Sequence, residues 1–220
     1  MQTKVVIFGV KDLAQLAKFY LETDSPYQVV GFTVNQQYLP ESREYLGLPV
    51  VPFEAVESVF PPSSHKFFAP ITGQRMNKFR ESIYLEAKAK KYEFVSYVSS
   101  RASIFNTKVG ENCFILEDNT IQPFTSVGNN VVIWSGCHLG HHGKIDDHVF
   151  FTSHVVMSGH CHIGKYSWLG VNSTIRDGLI LAEGTLLAMS GCLTKNTEPW
   201  SAYLGLPAKK IEKSSLEVNP

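Results

Sequence analysis

From Val109 onward, every sixth residue is large and apolar. The run is Val109, Ile115, Ile121, Val127, Ile133, Leu139, Ile145, Phe151, Met157, Ile163, Leu169, Ile175, Leu181, Leu187 and Leu193, fifteen in succession without a slip. Apolar residues make up 44% of the chain, so chance does not produce such a run. A fixed short period means that each unit repeats one local geometry and buries its apolar side chain on a shared axis. Residues 109–198 are therefore expected to form a β-solenoid of six-residue units.

A second register supports the first. Four residues after each apolar position stand Cys113, Asn119, Thr125, Val131, Cys137, Gly143, Val149, Val155, Cys161, Ser167, Ser173, Leu179, Thr185, Gly191 and Thr197. Most are small or β-branched, which suits an inward position where a bulky group would overpack. Gly110, Gly128, Gly140, Gly164 and Gly170 directly follow apolar positions and mark turns. The pattern resembles the left-handed parallel β-helix of hexapeptide acyltransferases, in which three hexads close one triangular coil of about eighteen residues. The resemblance implies five coils, roughly 24 Å long at ~4.8 Å between stacked strands.

Twenty basic residues balance twenty acidic ones, which gives no electrostatic reason to expect nucleic acid or an anionic membrane as partner. No apolar stretch reaches the length of a membrane span, and the segment after Met1 is too short for a signal peptide. Cys113, Cys137 and Cys161 fall at the small inward position, as buried thiols used like small hydrophobes do. No Cys-x-x-Cys pair exists to suggest a metal or redox site. The expected setting is cytoplasmic.

Residues 1–98 follow another rule and are read as a separate α/β domain of Rossmann type, before a solenoid domain over 99–220. Lys4–Gly9, Gln28–Val34, Lys66–Pro70 and Phe94–Val98 read as strands; Leu13–Leu21 and Met76–Ala87 carry helical stripes. Strands alternating with helices imply a parallel sheet, which binds ligands at the carboxyl ends of its strands. The first such end reads Phe8-Gly9-Val10-Lys11-Asp12 and lacks the Gly-x-Gly-x-x-Gly of a dinucleotide site. Gly9 permits close backbone approach, Lys11 sits where a helix N-terminus attracts phosphate, and Asn35 is placed to bond a ribose or base. The same residues also read as a tight turn and a solvated charge.

Seven of the eight histidines (His138, His141, His142, His148, His154, His160 and His162) lie within one short stretch of the solenoid. His142, His148, His154 and His160 recur every six residues, hence on successive faces of a three-sided coil. They cannot all converge, so no metal site is expected, although His142 and His160 should stack. His141 lies outside both registers, after Gly140, with Gly159 one coil above. A histidine beside a glycine backbone suits acyl transfer: imidazole takes a proton near neutral pH, and an unobstructed N–H stabilises an oxyanion.

Gly73-Gln-Arg-Met-Asn-Lys-Phe-Arg80, Gly140-His-His-Gly-Lys-Ile-Asp-Asp147 and Tyr203-Leu-Gly-Leu-Pro-Ala-Lys209 extend the resemblance over nearly the whole chain. It is similar to sugar acyltransferases of the sialic acid O-acetyltransferase type, including N-acetyltransferases of UDP-linked bacillosamine precursors and of GDP-perosamine. That resemblance implies a homotrimer using acetyl-CoA and no metal cofactor, with a nucleotide-linked aminosugar as acceptor. It places the catalytic base on His141; the residues themselves offer Gly159 as oxyanion donor and Asp146 or Asp147 as a substitute orienting group. It assigns the coenzyme to Gly159, Ala188, Gly205, Pro207 and Lys209, and the nucleotide sugar to Gly9, Val10, Lys11, Asn35 and Trp134. The chain departs from the family at Gly140, where a carboxylate often precedes the base, at Trp134 (asparagine) and at Phe150 (histidine). Two alternatives stay open: O-acetylation by the same fold, and a metal lyase like the γ-class carbonic anhydrases, whose His-x-x-x-x-His pair is absent.

Overall fold

In the computed structural model, which describes residues 2–218, the six-residue register becomes a stack of two-residue strands arranged in three parallel ladders. Ser126–Val127 pairs with Lys144–Ile145, Val132–Ile133 with Phe150–Phe151, and His138–Leu139 with Val156–Met157, each partner eighteen residues on. Three hexads thus close one coil, as a left-handed β-helix requires. One ladder runs from Ser126–Val127 to Ile180–Leu181 and another from Ser103–Ile104 to Cys192–Leu193. The third continues through Ser201–Leu204 and ends on the antiparallel strand Lys209–Ser214.

Burial follows the register. From Ile115 to Leu193, each of the periodic apolar residues is at most 3% exposed, and Val109 packs partly buried at the end of the row. The small positions are also internal. Cys113, Cys137 and Cys161 are free, buried thiols, and each Sγ–H donates to a carbonyl one coil on: Gly128, Thr152 and Arg176 at 3.1–3.2 Å. Burial pushes the Cys137 thiol up to about 11 and raises that of Cys161, so these two sulfurs stay protonated and unreactive.

A third register turns the corners. Every sixth residue from Asn106 to Ser190 has a positive φ between 53 and 75°. Twelve of these fifteen are Gly, Asn, Asp or His, the residues that tolerate the left-handed region best. His142, His148, His154 and His160 recur every six residues because each occupies such a corner.

Contacts divide the chain into two units: residues 1–72 with 82–97, and residues 73–81 with 98–220. The segment 73–81, which its helical stripe assigns to the first domain, belongs to the solenoid unit. It covers the outward face of the third ladder. Asn77 Nδ2 donates to the carbonyls of Tyr166 (3.0 Å) and Ser167 (3.3 Å), and Arg80 to those of His148 (3.0 Å) and Val149 (3.3 Å). A Cβ on Gly73 would stand 1.9 Å from the Trp168 ring, so only glycine admits this approach. Arg80 is fully buried over the Phe150 ring, and desolvation lowers its pKa to about 9.

In the first unit, β1 (Thr3–Phe8) leads through Gly9 into α1 (Asp12–Thr23), which buries Ala14, Ala17 and Leu21. β2 (Tyr27–Val34), β3 (Glu44–Tyr45), β4 (Leu48–Pro52) and β5 (Lys66–Phe68) complete a five-stranded sheet in the order β3-β4-β2-β1-β5. All its pairings are parallel except β3 with β4. The helix over Lys78–Ala89 contributes its first turn to the solenoid unit and the rest to this one. Phe8, Phe53, Phe67, Tyr92 and Phe94 form a chain of ring contacts at 5.0–5.8 Å. The expected strand over 94–98 reduces to a single bridge from Phe94 to Phe67 and the pair Tyr97–Val98. No helix among the described residues is long and apolar enough to cross a membrane.

One corner column is polar and inward. Asn112 donates to Asn130 Oδ1 (2.7 Å), and Asn130 donates to His148 Nδ1 (2.9 Å). His148, 5% exposed, stacks on Tyr166, whose hydroxyl donates to Glu81 (2.7 Å). Burial depresses the His148 pKa to about 4, with Arg80 and Lys165 lowering it further and Glu81 and Asp147 opposing.

Two outcomes follow. Leu169→Ala opens a void at a fully buried site and should cost ~2–5 kcal/mol in chemical denaturation, against about 0.5 kcal/mol or less for Thr174→Ala on the exposed side of the same stack. Between pH 6.5 and 4 the unfolded chain binds a proton that folded His148 refuses. Stability should therefore fall as pH drops through that window, by about 3 kcal/mol from this group. His148→Asn, which keeps a corner-tolerant residue, should flatten that acid limb in a pH series of melting curves.

Candidate active site

The corner between the second and first ladders carries His141. Its backbone is fixed on both sides: the N–H donates to Gln122 Oε1 (3.0 Å), and the carbonyl accepts the His160 N–H (2.9 Å). The exposed ring lies against Gly159. A Cβ there would meet Cε1 at 2.8 Å, Nε2 at 3.0 Å and Nδ1 at 3.2 Å, so a side chain would push the imidazole away. Among the described residues the Gly159 N–H donates to no group, while its carbonyl accepts from Gly178 (2.9 Å). His141 thus stacks under Gly159, as the eighteen-residue coil predicts.

The orienting group differs from expectation. Asp147 is used at the next corner, where Oδ1 accepts the Asn129 backbone N–H (2.7 Å) and side-chain amide (3.3 Å). Asp146 pairs with His162 Nε2 (2.8 Å) and Lys144 (2.9 Å). Burial raises the Asp146 carboxyl pKa, but those two partners outweigh it and hold the group below its ordinary value. The contact assigned to Asp147 is made by His142, whose Nδ1 lies 3.0 Å from His141 Nδ1. Nor can a carboxylate precede the base on this backbone, because a Cβ on Gly140 would stand 2.5 Å from the Gly159 nitrogen.

His142 and His160 stack as the spacing requires, with centroids 4.9 Å apart and planes 13° apart. Phe124 extends the column below His142 at 4.7 Å. The expectation concerned the four corner histidines; it is His141, outside that set, that joins the stacked pair. His141 meets both rings edge-on at 5.1 and 5.0 Å, and the three exposed imidazoles bring their ligating nitrogens within 4.8 Å of one another. The six-residue argument covered only corner positions; the residue just before a corner escapes it.

A second feature stands at another corner, after the third ladder. Trp134, Thr152, Gly170 and Ala188 are spaced eighteen apart and form one column. Thr152, Gly170 and Ala188 line an apolar slot of about 390 Å³ with Trp168, Val171, Met189 and Leu204 among the other walls. Ala188 and Trp134, assigned from resemblance to coenzyme and sugar, thus share a column, one face of the coil away from His141. Val171, Met189 and Leu204 were not singled out from the sequence; counting by eighteen from Ser153 finds the first two. Phe150 is buried under Arg80 and stacked on Trp168 at 4.2 Å, which makes it part of the packing of segment 73–81. Gly205 accepts the Cys192 N–H (3.0 Å), Pro207 lies in the turn that follows, and Lys209 opens the last strand.

In the first unit, Gly9 has φ +120° and donates to the Thr33 carbonyl (2.9 Å). Lys11 caps α1 through its backbone carbonyl, leaving its side chain exposed. Asn35 follows β2, the parallel neighbour of β1. Gly9, Val10, Lys11 and Asn35 therefore share the carboxyl end of the sheet.

The sequence pattern of the bacterial transferase hexapeptide family (six repeats) matches residues 106–141. The chain is 42% identical over 51 residues to a probable macrolide acetyltransferase of Lysinibacillus sphaericus, covering 23% of this chain and 28% of that protein. It is 27% identical over 104 residues to the acyl-[acyl-carrier-protein]–UDP-N-acetylglucosamine O-acyltransferase of Helicobacter pylori, covering 44% and 38%. The matches thus span well under half the length of these curated relatives. Two solved structures share the fold across almost all of both chains. The acetyltransferase domain of PglB from Neisseria gonorrhoeae superposes with a TM-score of 0.84 at 16% identity, covering 94% of this chain and 99% of that one. The perosamine N-acetyltransferase of Caulobacter crescentus, solved with CoA and GDP-perosamine, gives 0.86 at 18%, covering 96% and 97%.

Proposed function

We propose that this chain transfers an acetyl group from acetyl-CoA to the amine of a nucleotide-linked aminodeoxysugar, with His141 as general base. The observation that carries the reading is the His141 ring laid against Gly159, whose N–H has no partner among the described residues. With Nδ1 protonated and donating to His142, the Nε2 lone pair is left to accept a proton.

The amine nitrogen attacks the thioester carbon while His141 Nε2 takes its proton. The developing oxyanion is held by the Gly159 N–H. Collapse breaks the carbon–sulfur bond, and the imidazolium returns its proton to the departing thiolate. No nucleophilic side chain enters; Cys113, Cys137 and Cys161 are buried in the core.

Relatives of the same fold support the substrate class: one is solved with CoA and GDP-perosamine, and another with acetyl-CoA. Gly9, Val10, Lys11 and Asn35, at the sheet end where open α/β folds bind ligands, are assigned to the nucleotide. The slot beside Ala188, with Gly205, Pro207 and Lys209 beyond it, is assigned to the coenzyme. Base and slot stand at different corners of one coil, so the site is completed by a second copy; a closed ring of three copies repeats that juxtaposition three times.

O-acetylation is the second reading, favoured by the acceptor oxygen of the Helicobacter pylori relative. A free-thiol release assay against paired amino and hydroxy sugars on UDP, GDP and dTDP separates the two. In that assay His141→Ala should lower turnover by at least ~10²-fold, and Gly159→Ala should lower it by displacing the ring. Near-normal turnover of His141→Ala would overturn the base assignment, and a chain that sediments as a monomer would overturn the shared site.

A further inference from the structure

We propose that His141, His142 and His160 form a site for a borderline divalent cation, Zn²⁺, and that the ion, ligated by His141 Nδ1, switches the base off by moving the ring proton onto Nε2. Direct binding is independent of the function proposed above; only the consequence rests on it.

The geometry is close to that of a ligand set. A tetrahedral zinc with Zn–N of about 2.0–2.1 Å spans its nitrogens by about 3.3 Å. The His141 and His142 Nδ1 atoms are already 3.0 Å apart. The nitrogens of all three rings lie within 4.8 Å of one another, so the third must move by roughly 1.5 Å at most. All three rings are exposed, and they pack on one another, on Phe124 and on Gly159, so the adjustment is made within the cluster and the fourth position is open to water.

The backbone holds the rings ready. His142 and His160 sit at left-handed corners with φ of 55 and 58°, one coil apart, and the His160 N–H is bonded to the His141 carbonyl. No carboxylate joins the group. Three neutral imidazoles select zinc, cobalt, nickel or copper over magnesium and calcium, which require oxygen donors.

The corner requirement alone does not explain the set. Asn112, Asn130 and Asn172 meet the same requirement elsewhere, and His141 is not a corner residue. Stacked corners give two imidazoles; the residue beside them gives the third, and it is the proposed base.

Cobalt(II) titration of the untagged full chain, followed by its visible absorption and by zinc competition in calorimetry, tests the site. One equivalent should bind with the intense band of tetrahedral cobalt. His160→Asn, which keeps a corner-tolerant residue and stands outside the proposed proton path, should weaken binding at least about tenfold and leave metal-free turnover unchanged. Zinc should inhibit the wild-type chain and a chelator should restore it, with His160→Asn resistant. No tetrahedral band, or equal affinity in His160→Asn, would overturn the site even if His141→Ala is inactive. Zinc bound at one equivalent with undiminished turnover would overturn the switch and count against His141 as the base.

Discussion

A residue in the left-handed region at every sixth position is the constraint on which the solenoid depends. It ends each two-residue strand, turns the chain by one face, and returns it after three turns to a point one strand spacing above where it began. Only then do residues eighteen apart pair in parallel, and only then do the apolar positions meet on one axis. The backbone cost at each corner is real for any residue with a Cβ. It is offset because twelve of the fifteen corners are filled by Gly, Asn, Asp and His, and because each corner commits another large apolar side chain to near-complete burial.

The same arithmetic builds the functional features. Stacking converts an eighteen-residue separation into a distance of about 4.8 Å, so a column of side chains behaves like a continuous surface along the solenoid axis. His141 under Gly159 is one such column, His142 under His160 is its neighbour, and Trp134, Thr152, Gly170 and Ala188 are a third. Glycines matter where columns touch. The Gly140 backbone approaches Gly159 too closely for any side chain, and Gly159 leaves its face to the His141 ring. Removing side chains at these two points creates a place where an imidazole and a backbone N–H lie side by side.

What was legible in the sequence was whatever shows in hydropathy or size: the apolar register, the small register with its buried cysteines, and the alternation of strands and helices before them. The corner register was not, because Asn, His and Gly share a conformational tolerance rather than a polarity, and their recurrence looked like a histidine cluster. The stripe Met76, Phe79, Ile83 and Ala87 correctly marks a helix, but periodicity cannot say which body a helix serves. Gly73, Asn77 and Arg80 decide that, through a close approach to Trp168 and bonds to solenoid carbonyls. Asp147 looked free to orient a base because a sequence does not reveal that Asn129, eighteen residues earlier, claims it.

The replacement of a carboxylate by His142 beside the proposed base bears on the proposed acceptor. A carboxylate both fixes the tautomer of an imidazole and stabilises the imidazolium formed when it takes a proton. A neutral imidazole at 3.0 Å does the first and gives little of the second. A hydroxyl needs its proton removed as it attacks, so it leans on a base whose charged form is stabilised. An amine attacks with its own lone pair and gives up a proton that is already acidic once the new bond forms. A histidine oriented but not electrostatically supported therefore fits an amine acceptor better than a hydroxyl. The same set of ring nitrogens that orients His141 is also the one that offers it as a ligand for zinc.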